Sequence, residues 1–185
     1  MPLITLPASL GAAELVVLLG DTHRGFQACQ RLIALGPGAT EAVRAGLAHP
    51  DPRVRAYCCM VLDHLMDEAS VPVLIAALGD PAEQVRCAAA HALSCDRCKK
   101  GGCRPDAAAV LAAALDVLAG DESASVRAMA VEVAGRWVHS HPQARAAIER
   151  AAAADASPVV RKKASWYAPG GTIYRRTEPG SAQAC

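Results

Sequence analysis

The chain has 185 residues, of which 52% are apolar and only 3% aromatic, and its formal net charge is +1. This length supports a hydrophobic core, and the balanced charge gives no sign of a particular class of partner. The first apolar stretch has no basic residue before it and contains Glu14, which argues against a secretory signal, and no window has the length of a membrane span. We therefore expect a cytoplasmic protein whose eight cysteines are thiols or metal ligands rather than disulfides.

Four segments of the chain share one pattern: an Asp, a short turn, a Val-Arg pair and a helix of small residues. A weaker first copy covers residues 21–36, and another apolar helix precedes each Asp. The pattern predicts a repeating unit of helix, Asp-led turn and helix, with the Asp as the N-cap of the second helix. The Val-Arg pairs begin at Val54, Val85, Val126 and Val160.

These signatures, in residues 51–65, 80–93, 121–135 and 155–168, resemble the HEAT-repeat family, in particular its short bacterial PBS-lyase HEAT-like form. The resemblance covers roughly residues 12–168 and implies an all-α fold. The implied architecture is an α-solenoid, a superhelix of about five helix pairs whose second helices line the concave face. We assign residues 1–168 to this repeat domain. Such solenoids are mostly scaffolds, so the fold implies little about the specific function.

Alignment of the second helices places four arginines in one column and four aspartates in another. In the HEAT family such residues form an Asp–Arg ladder between neighbouring repeats, which we favour over a basic stripe for nucleic acid. Cys29, Cys58 and Cys59 align with alanines and are predicted to lie in the core, and Cys87 is assigned there too. A further column tolerates polar residues and is predicted to be exposed on the concave side; it holds Met60, His91, Glu132 and Trp166.

A cysteine-rich insertion at residues 94–105 lengthens one connection between repeats. A flexible loop needs no cysteine, whereas the spacing of Cys95 and Cys98 allows two thiolates to bind one metal ion in a tight turn. Cys103 follows after two glycines, and His91 lies one helical turn before Cys95 on the same helix face. The sequence therefore predicts a structural zinc site formed by His91, Cys95, Cys98 and Cys103.

Other chemistry remains open for this loop. Cys87 would replace His91 as the fourth ligand only if the helix that carries both residues ended early. An iron–sulfur cluster, or thiol and disulfide chemistry, are alternatives, because three cysteines are a weaker signal than two paired Cys-x2-Cys motifs. No carboxylate is recognised as a general base for an open metal site, so the sequence predicts no enzyme.

Basic residues concentrate in the cysteine loop, residues 95–104, and in residues 159–185, which together contain all four lysines of the chain. Residues 169–185 are predicted to form a cap or tail, with Thr172 to Tyr174 extended and the final residues disordered. We favour capping of the last repeat over stacking on bases as the role of the aromatic residues near the tail, and leave open whether the basic residues bind phosphates. The candidate partner-binding or nucleic-acid-binding residues are Lys99, Lys100, Arg104, Lys162, Lys163, Trp166, Tyr174, Arg175 and Arg176.

The leading functional hypothesis is a non-enzymatic HEAT-repeat scaffold that holds zinc and binds a protein partner on its concave face. The alternatives are an RNA- or DNA-binding protein that uses the basic loop and tail, and an iron–sulfur or thiol redox-responsive protein. Some HEAT-like proteins are DNA glycosylases, but only Trp137, Trp166 and Glu132 offer candidates for such a site. A bilin lyase function follows from the family label alone and has no supporting residue.

Overall fold

The structure is a computed structural model that describes residues 6–99 and 103–179. All regular secondary structure in these residues is helical, which confirms the predicted all-α fold. A short 3-10 helix at Gly36–Ala39 links the second and third α-helices. The α-helices are α1 (Ala12–Leu18), α2 (Gly25–Leu35), α3 (Thr40–Gly46), α4 (Pro52–His64), α5 (Ser70–Ala77), α6 (Glu83–Ser94), α7 (Ala107–Gly120), α8 (Ala124–Gly135), α9 (Pro142–Ala154), α10 (Pro158–Tyr167) and α11 (Thr172–Thr177).

The chain divides into two compact units, the first ending at Pro105 and the second beginning at Asp106. In the first unit, α4 is the central helix and packs against α2, α3 and α6. The side chains of Val54, Val61 and Leu62 on α4 are fully buried. Cys29, Cys58 and Cys59 are also buried, which confirms their prediction as core residues, and burial raises the pKa of the Cys58 thiol to about 12. Cys87 is only half-buried, so its assignment to the core was wrong.

The prediction that the Asp of each turn is the N-cap of the second helix is correct for one repeat and wrong for three. Asp51 is the N-cap of α4 and accepts a hydrogen bond from the backbone N–H of Arg53 at 2.8 Å. In the other three repeats the turn is two residues longer. There the Asp carboxylate accepts a hydrogen bond from the backbone N–H of the residue that is the N-cap. These acceptor–donor pairs are Asp80 with Ala82, Asp121 with Ser123 and Asp155 with Ser157, each at 2.8 Å.

The predicted Asp–Arg ladder is confirmed within each unit. Arg55 donates two hydrogen bonds to the carboxylate of Asp80, at 2.7 and 2.8 Å. Arg127 binds the carboxylate of Asp155 in the same bidentate way, with both distances 2.8 Å. These guanidinium groups hold the pKa values of Asp80 and Asp155 below their usual range. Arg55 and Arg127 therefore tie successive repeats together within their units, which argues against their use in a stripe that binds nucleic acid.

The second unit has its core between α7, α8, α9 and α10. Val131, Ile148 and Val160 are fully buried there. Tyr167, at the end of α10, and Tyr174, on α11, pack against this cluster.

The segment after α10 differs from the sequence prediction. Thr172, Ile173 and Tyr174 belong to helix α11, so the predicted extended conformation was wrong. The β-branched residues favour strands, but packing and hydrogen bonds override this local preference. The Tyr174 ring lies 4.3 Å from the His139 ring, centroid to centroid, and the Thr177 hydroxyl lies 3.1 Å from His139 Nε2.

The packing of Tyr167 and Tyr174 is consistent with a cap on the second unit. The disorder predicted for the end of the chain concerns residues 180–185, which lie outside the described residues. Among the described helices, none combines the length and apolar character that crossing a bilayer requires.

Candidate metal centre

Four potential metal ligands converge where the C-terminal ends of α4 and α6 lie side by side. Asp63 comes from the last turn of α4, His91 from the last turn of α6, and Cys95 is the C-cap of α6. Cys98 lies in the loop that follows. The ligand atoms of these four residues all lie within 4.8 Å of one another. The site therefore depends on the packing of two helices that are distant in sequence.

Asp63 is a potential ligand that is not among the residues predicted from the sequence. Its side chain is 3% exposed, and its carboxylate lies 3.3 Å from His91 Nε2 and 3.3 Å from Lys99 Nζ. Burial acts to raise the pKa of Asp63, but hydrogen bonds with His91 and Cys98 and the charge of Lys99 together hold it below the usual value. A weak signal was present: the repeat alignment places Asp63 in a column whose other members, Ile33, Ser94, Gly135 and Pro169, carry no charge.

The two thiols are half-buried and differ in acidity. Burial acts to raise the pKa of Cys95, but the backbone N–H groups of Cys98 and Arg97 donate to its sulfur, and the net effect is a lowered pKa. Burial raises the pKa of Cys98, and hydrogen bonds with Asp63 and Cys95 raise it further. The pair thus combines one thiol whose pKa is lowered with one whose pKa is raised.

Cys103 lies outside this group of four, although the sequence places it among the zinc ligands. Its backbone N–H donates to the carbonyl oxygen of Met66 at 3.1 Å, which attaches the returning loop next to the end of α4. Cys87 lies outside the group too, because α6 continues as a helix to Ser94 and so keeps Cys87 two turns before Cys95. The structure thus brings together three of the four predicted ligands, with the Asp63 carboxylate beside them.

Lys99 departs from the expectation that it belongs to an exposed basic surface. Its side chain is 0% exposed, and its ammonium group contacts Asp63 Oδ1 and donates to the carbonyl oxygen of Cys95. Lys99 is therefore an internal cation beside the four ligand atoms. It is not accessible to a phosphate group.

Several other candidate binding residues are engaged within the chain. Lys163 forms an ion pair with Glu132, and Arg175 donates to the carbonyl oxygen of Gly170. Arg104 lies 3.8 Å from the carboxylate of Asp96 and is exposed. Trp166 is 39% exposed, and Lys162 and Arg176 are exposed as well. Lys100 lies outside the described residues.

The arrangement has the chemical properties of a metal site. One carboxylate, one imidazole and two thiols provide four ligands, and Zn²⁺ accepts each of these donor types in tetrahedral geometry. Two thiolates, one carboxylate and a neutral imidazole around a divalent cation carry a net charge of −1. The buried ammonium of Lys99 offsets that charge, so the site would be neutral with the ion in place.

The chain is similar over most of its length to a solved structure of a two-protein complex. That structure is described as the complex of CpcE and CpcF of phycocyanin lyase from Nostoc sp. PCC7120. The likeness has a TM-score of 0.68 and 22% sequence identity, and it covers 84% of this chain and 96% of the other. At this level of identity it shows a shared fold. No curated protein matches the sequence.

This comparison corrects one sequence-based prediction. The absence of a recognised catalytic motif led to the expectation that the chain is not an enzyme. That expectation is contradicted, because a chain of the same fold occurs in a complex described as a lyase. The repeat fold therefore gives no argument against catalysis.

The family comparison bears directly on the repeats. Residues 40–117 match the model of a family described as HEAT repeats. This stretch contains the Val-Arg signatures at Val54 and Val85, two of the four on which the predicted resemblance rests. The predicted resemblance is confirmed over this stretch, which contains HEAT repeats.

Proposed function

We propose that the protein is a HEAT-repeat module that binds a protein partner and carries one structural zinc ion on Asp63, His91, Cys95 and Cys98. The observation that carries this proposal is the convergence of the four ligand atoms within 4.8 Å. All four positions of a tetrahedral ion are then filled by protein side chains, which is the arrangement of a structural site. The ion would fasten the loop after α6 to the neighbouring helix α4.

The donor set favours zinc over an iron–sulfur cluster. Such clusters are held mainly by cysteine thiolates, four in the common types. Only Cys95 and Cys98 contribute sulfur to the group of four, and the other donors are nitrogen and oxygen. A mixed set of this kind suits Zn²⁺, which binds sulfur, nitrogen and oxygen ligands at similar distances.

We expect the protein, purified without added metal, to contain close to one equivalent of zinc by inductively coupled plasma mass spectrometry. Cys98→Ser should reduce the zinc content at least tenfold, because loss of one thiolate from a four-ligand site removes a large part of the binding energy. Cys87→Ser is the matched control: it changes a half-buried cysteine of the same region that lies outside the group, and its zinc content should equal that of the wild type.

The identity of the fourth ligand can be tested with a second pair of variants. If Asp63 is the ligand, Asp63→Asn should lose zinc and Cys103→Ser should keep it. The reverse result would assign the site to the three cysteines and His91. Iron with visible absorbance near 400 nm, or no metal in correctly folded protein, would contradict the zinc proposal. Circular dichroism of each variant distinguishes loss of metal from loss of fold.

The proposed protein partner is supported by the fold comparison, because the similar solved structure is a complex of two proteins, CpcE and CpcF. It is also supported by exposed apolar side chains on second helices, where HEAT repeats present their concave face. Met60 on α4 is 45% exposed. A nucleic-acid partner has less support, since Lys99 is buried and Lys163 and Arg175 are engaged within the chain.

We expect a specific protein to copurify with the tagged full chain from its native cells and to be lost with Met60→Glu. The charge would disrupt an apolar contact surface on α4. Val17→Glu is the matched control, because Val17 is 64% exposed but lies on α1, a first helix. Quantitative mass spectrometry should find the partner with the wild type and with Val17→Glu, but not with Met60→Glu. Equal recovery with all three chains would contradict a partner site on α4.

A further inference from the structure

We propose that Cys95 and Cys98 form an oxidation-sensitive pair: hydrogen peroxide converts them to a disulfide and thereby releases the bound ion. This inference rests on the proposed zinc site and adds a covalent modification to it. Their sulfur atoms belong to the group that lies within 4.8 Å, and only two residues separate them in the chain. A disulfide requires a sulfur–sulfur bond of about 2.05 Å, which a small movement of the loop would allow.

The accessibility of the cysteines favours reaction at this pair. Cys95 and Cys98 are half-buried, so an oxidant as small as hydrogen peroxide can reach them. Cys29, Cys58 and Cys59 are 4%, 0% and 0% exposed and are shielded by the core. Cys87 and Cys103 are half-buried too, but both lie outside the group of four. Accessibility and proximity to a second thiol together distinguish Cys95 and Cys98 from the other cysteines that the structure describes.

The chemistry balances with hydrogen peroxide as the only oxidant. One thiolate sulfur attacks a peroxide oxygen, the O–O bond breaks, and a sulfenic acid and hydroxide result. The second thiolate attacks the sulfenic sulfur, the S–S bond forms and the S–OH bond breaks. Two protons convert the two hydroxides to water, and the two electrons lost by sulfur reduce the peroxide. Zn²⁺ then retains only the Asp63 and His91 side chains and dissociates.

The structural consequence should be local. The helices α4 and α6 pack through fully buried side chains such as Leu62, Ala89 and Leu93, none of which depends on the metal. Once the ion has left, the loop after α6 loses the bond between Cys98 and the ion and keeps the contact between Lys99 and Asp63. Oxidation should therefore loosen the attachment of the loop to α4 and leave the helices intact.

The test treats the zinc-loaded full chain with a small excess of hydrogen peroxide and follows released zinc with a chromogenic chelator. We expect one zinc ion to be released per disulfide, and the number of free thiols, titrated after denaturation, to fall by two of the eight. Trypsin cleaves after Arg97, so a disulfide between Cys95 and Cys98 appears as two linked peptides. Dithiothreitol with added zinc should restore the starting protein.

The variants decide which cysteines react. Cys87→Ser should behave as the wild type, whereas Cys98→Ser should form no linked peptide. A disulfide to Cys103, or zinc retained after peroxide treatment, would overturn the inference while leaving the zinc proposal intact. Protein that never contains zinc would overturn both. Faster tryptic cleavage after Arg97 in the oxidised protein, with unchanged helical circular dichroism, would support loosening of the loop without unfolding of the helices.

Discussion

Replacement of Asp63 by Ala should lower the free energy of unfolding by about 3 kcal/mol, even in protein stripped of metal with a chelator. The reason is the ammonium group of Lys99, whose side chain is 0% exposed and lies 3.3 Å from the Asp63 carboxylate. Removal of one partner of a buried ion pair leaves a buried charge uncompensated, at a cost of about 3–5 kcal/mol. We expect the lower end of this range, because Lys99 lies in a loop that can open to water. Urea denaturation followed by circular dichroism measures the change.

Two controls separate the buried pair from other effects. The double variant Asp63→Leu with Lys99→Met removes both charges and should recover most of the lost stability. Asp96→Ala removes a carboxylate from the same loop. The Asp96 side chain is 48% exposed and its ion pair with Arg104 is long, at 3.8 Å, so the free energy of unfolding should fall by less than about 0.5 kcal/mol. Equal destabilisation by Asp63→Ala and by the double variant would show that the Lys99 charge is not the cause.

Gly135→Ala should destabilise the protein by about 2 kcal/mol, although alanine is the better helix former by about 1 kcal/mol. Gly135 is the last residue of α8. A β-carbon at this position would collide with the ring of Tyr167, which packs against the core of the second unit. Because the ring and the α8 backbone are in close contact, the extra methyl group should separate α8 from α10. The midpoint of urea denaturation should shift to a lower urea concentration.

Gly120→Ala provides the matched comparison. Gly120 is also the last residue of its helix, α7, but a β-carbon there meets no atom within 4 Å. Neither glycine has a positive φ angle, so backbone strain does not distinguish them. Gly120→Ala should therefore stabilise the protein by about 0.5 kcal/mol, through reduced freedom of the unfolded chain. Opposite signs for the two variants would establish that the Tyr167 contact decides the outcome, and equal signs would contradict it.

The repeat pattern made much of the fold predictable. The Val-Arg signatures place Val54, Val85, Val126 and Val160 at the start of second helices, and all four are fully buried. The recurrence of Asp and Arg at fixed positions also predicted the pairs of Arg55 with Asp80 and of Arg127 with Asp155. These features recur because each repeat buries the same helix face and makes the same contact with its neighbour.

The tail was less predictable. Local preference favoured an extended conformation for Thr172 to Tyr174, whereas the structure has helix α11. The helix depends on the Tyr174 ring against His139, a contact between residues far apart in sequence. A short segment of this kind has little intrinsic preference, so its conformation follows from the surface on which it packs.

The sequence by itself determined the helical repeats, the Asp–Arg ladder and the concentration of thiols near the end of α6. Local spacing sufficed for these, because helical periodicity and the Cys-x2-Cys pattern are properties of neighbouring residues. Only the tertiary structure decided that Asp63 joins His91, Cys95 and Cys98, and that Lys99 is an internal cation rather than an exposed one. Both depend on the packing of α4 against α6, which brings a carboxylate on one helix beside ligands from another.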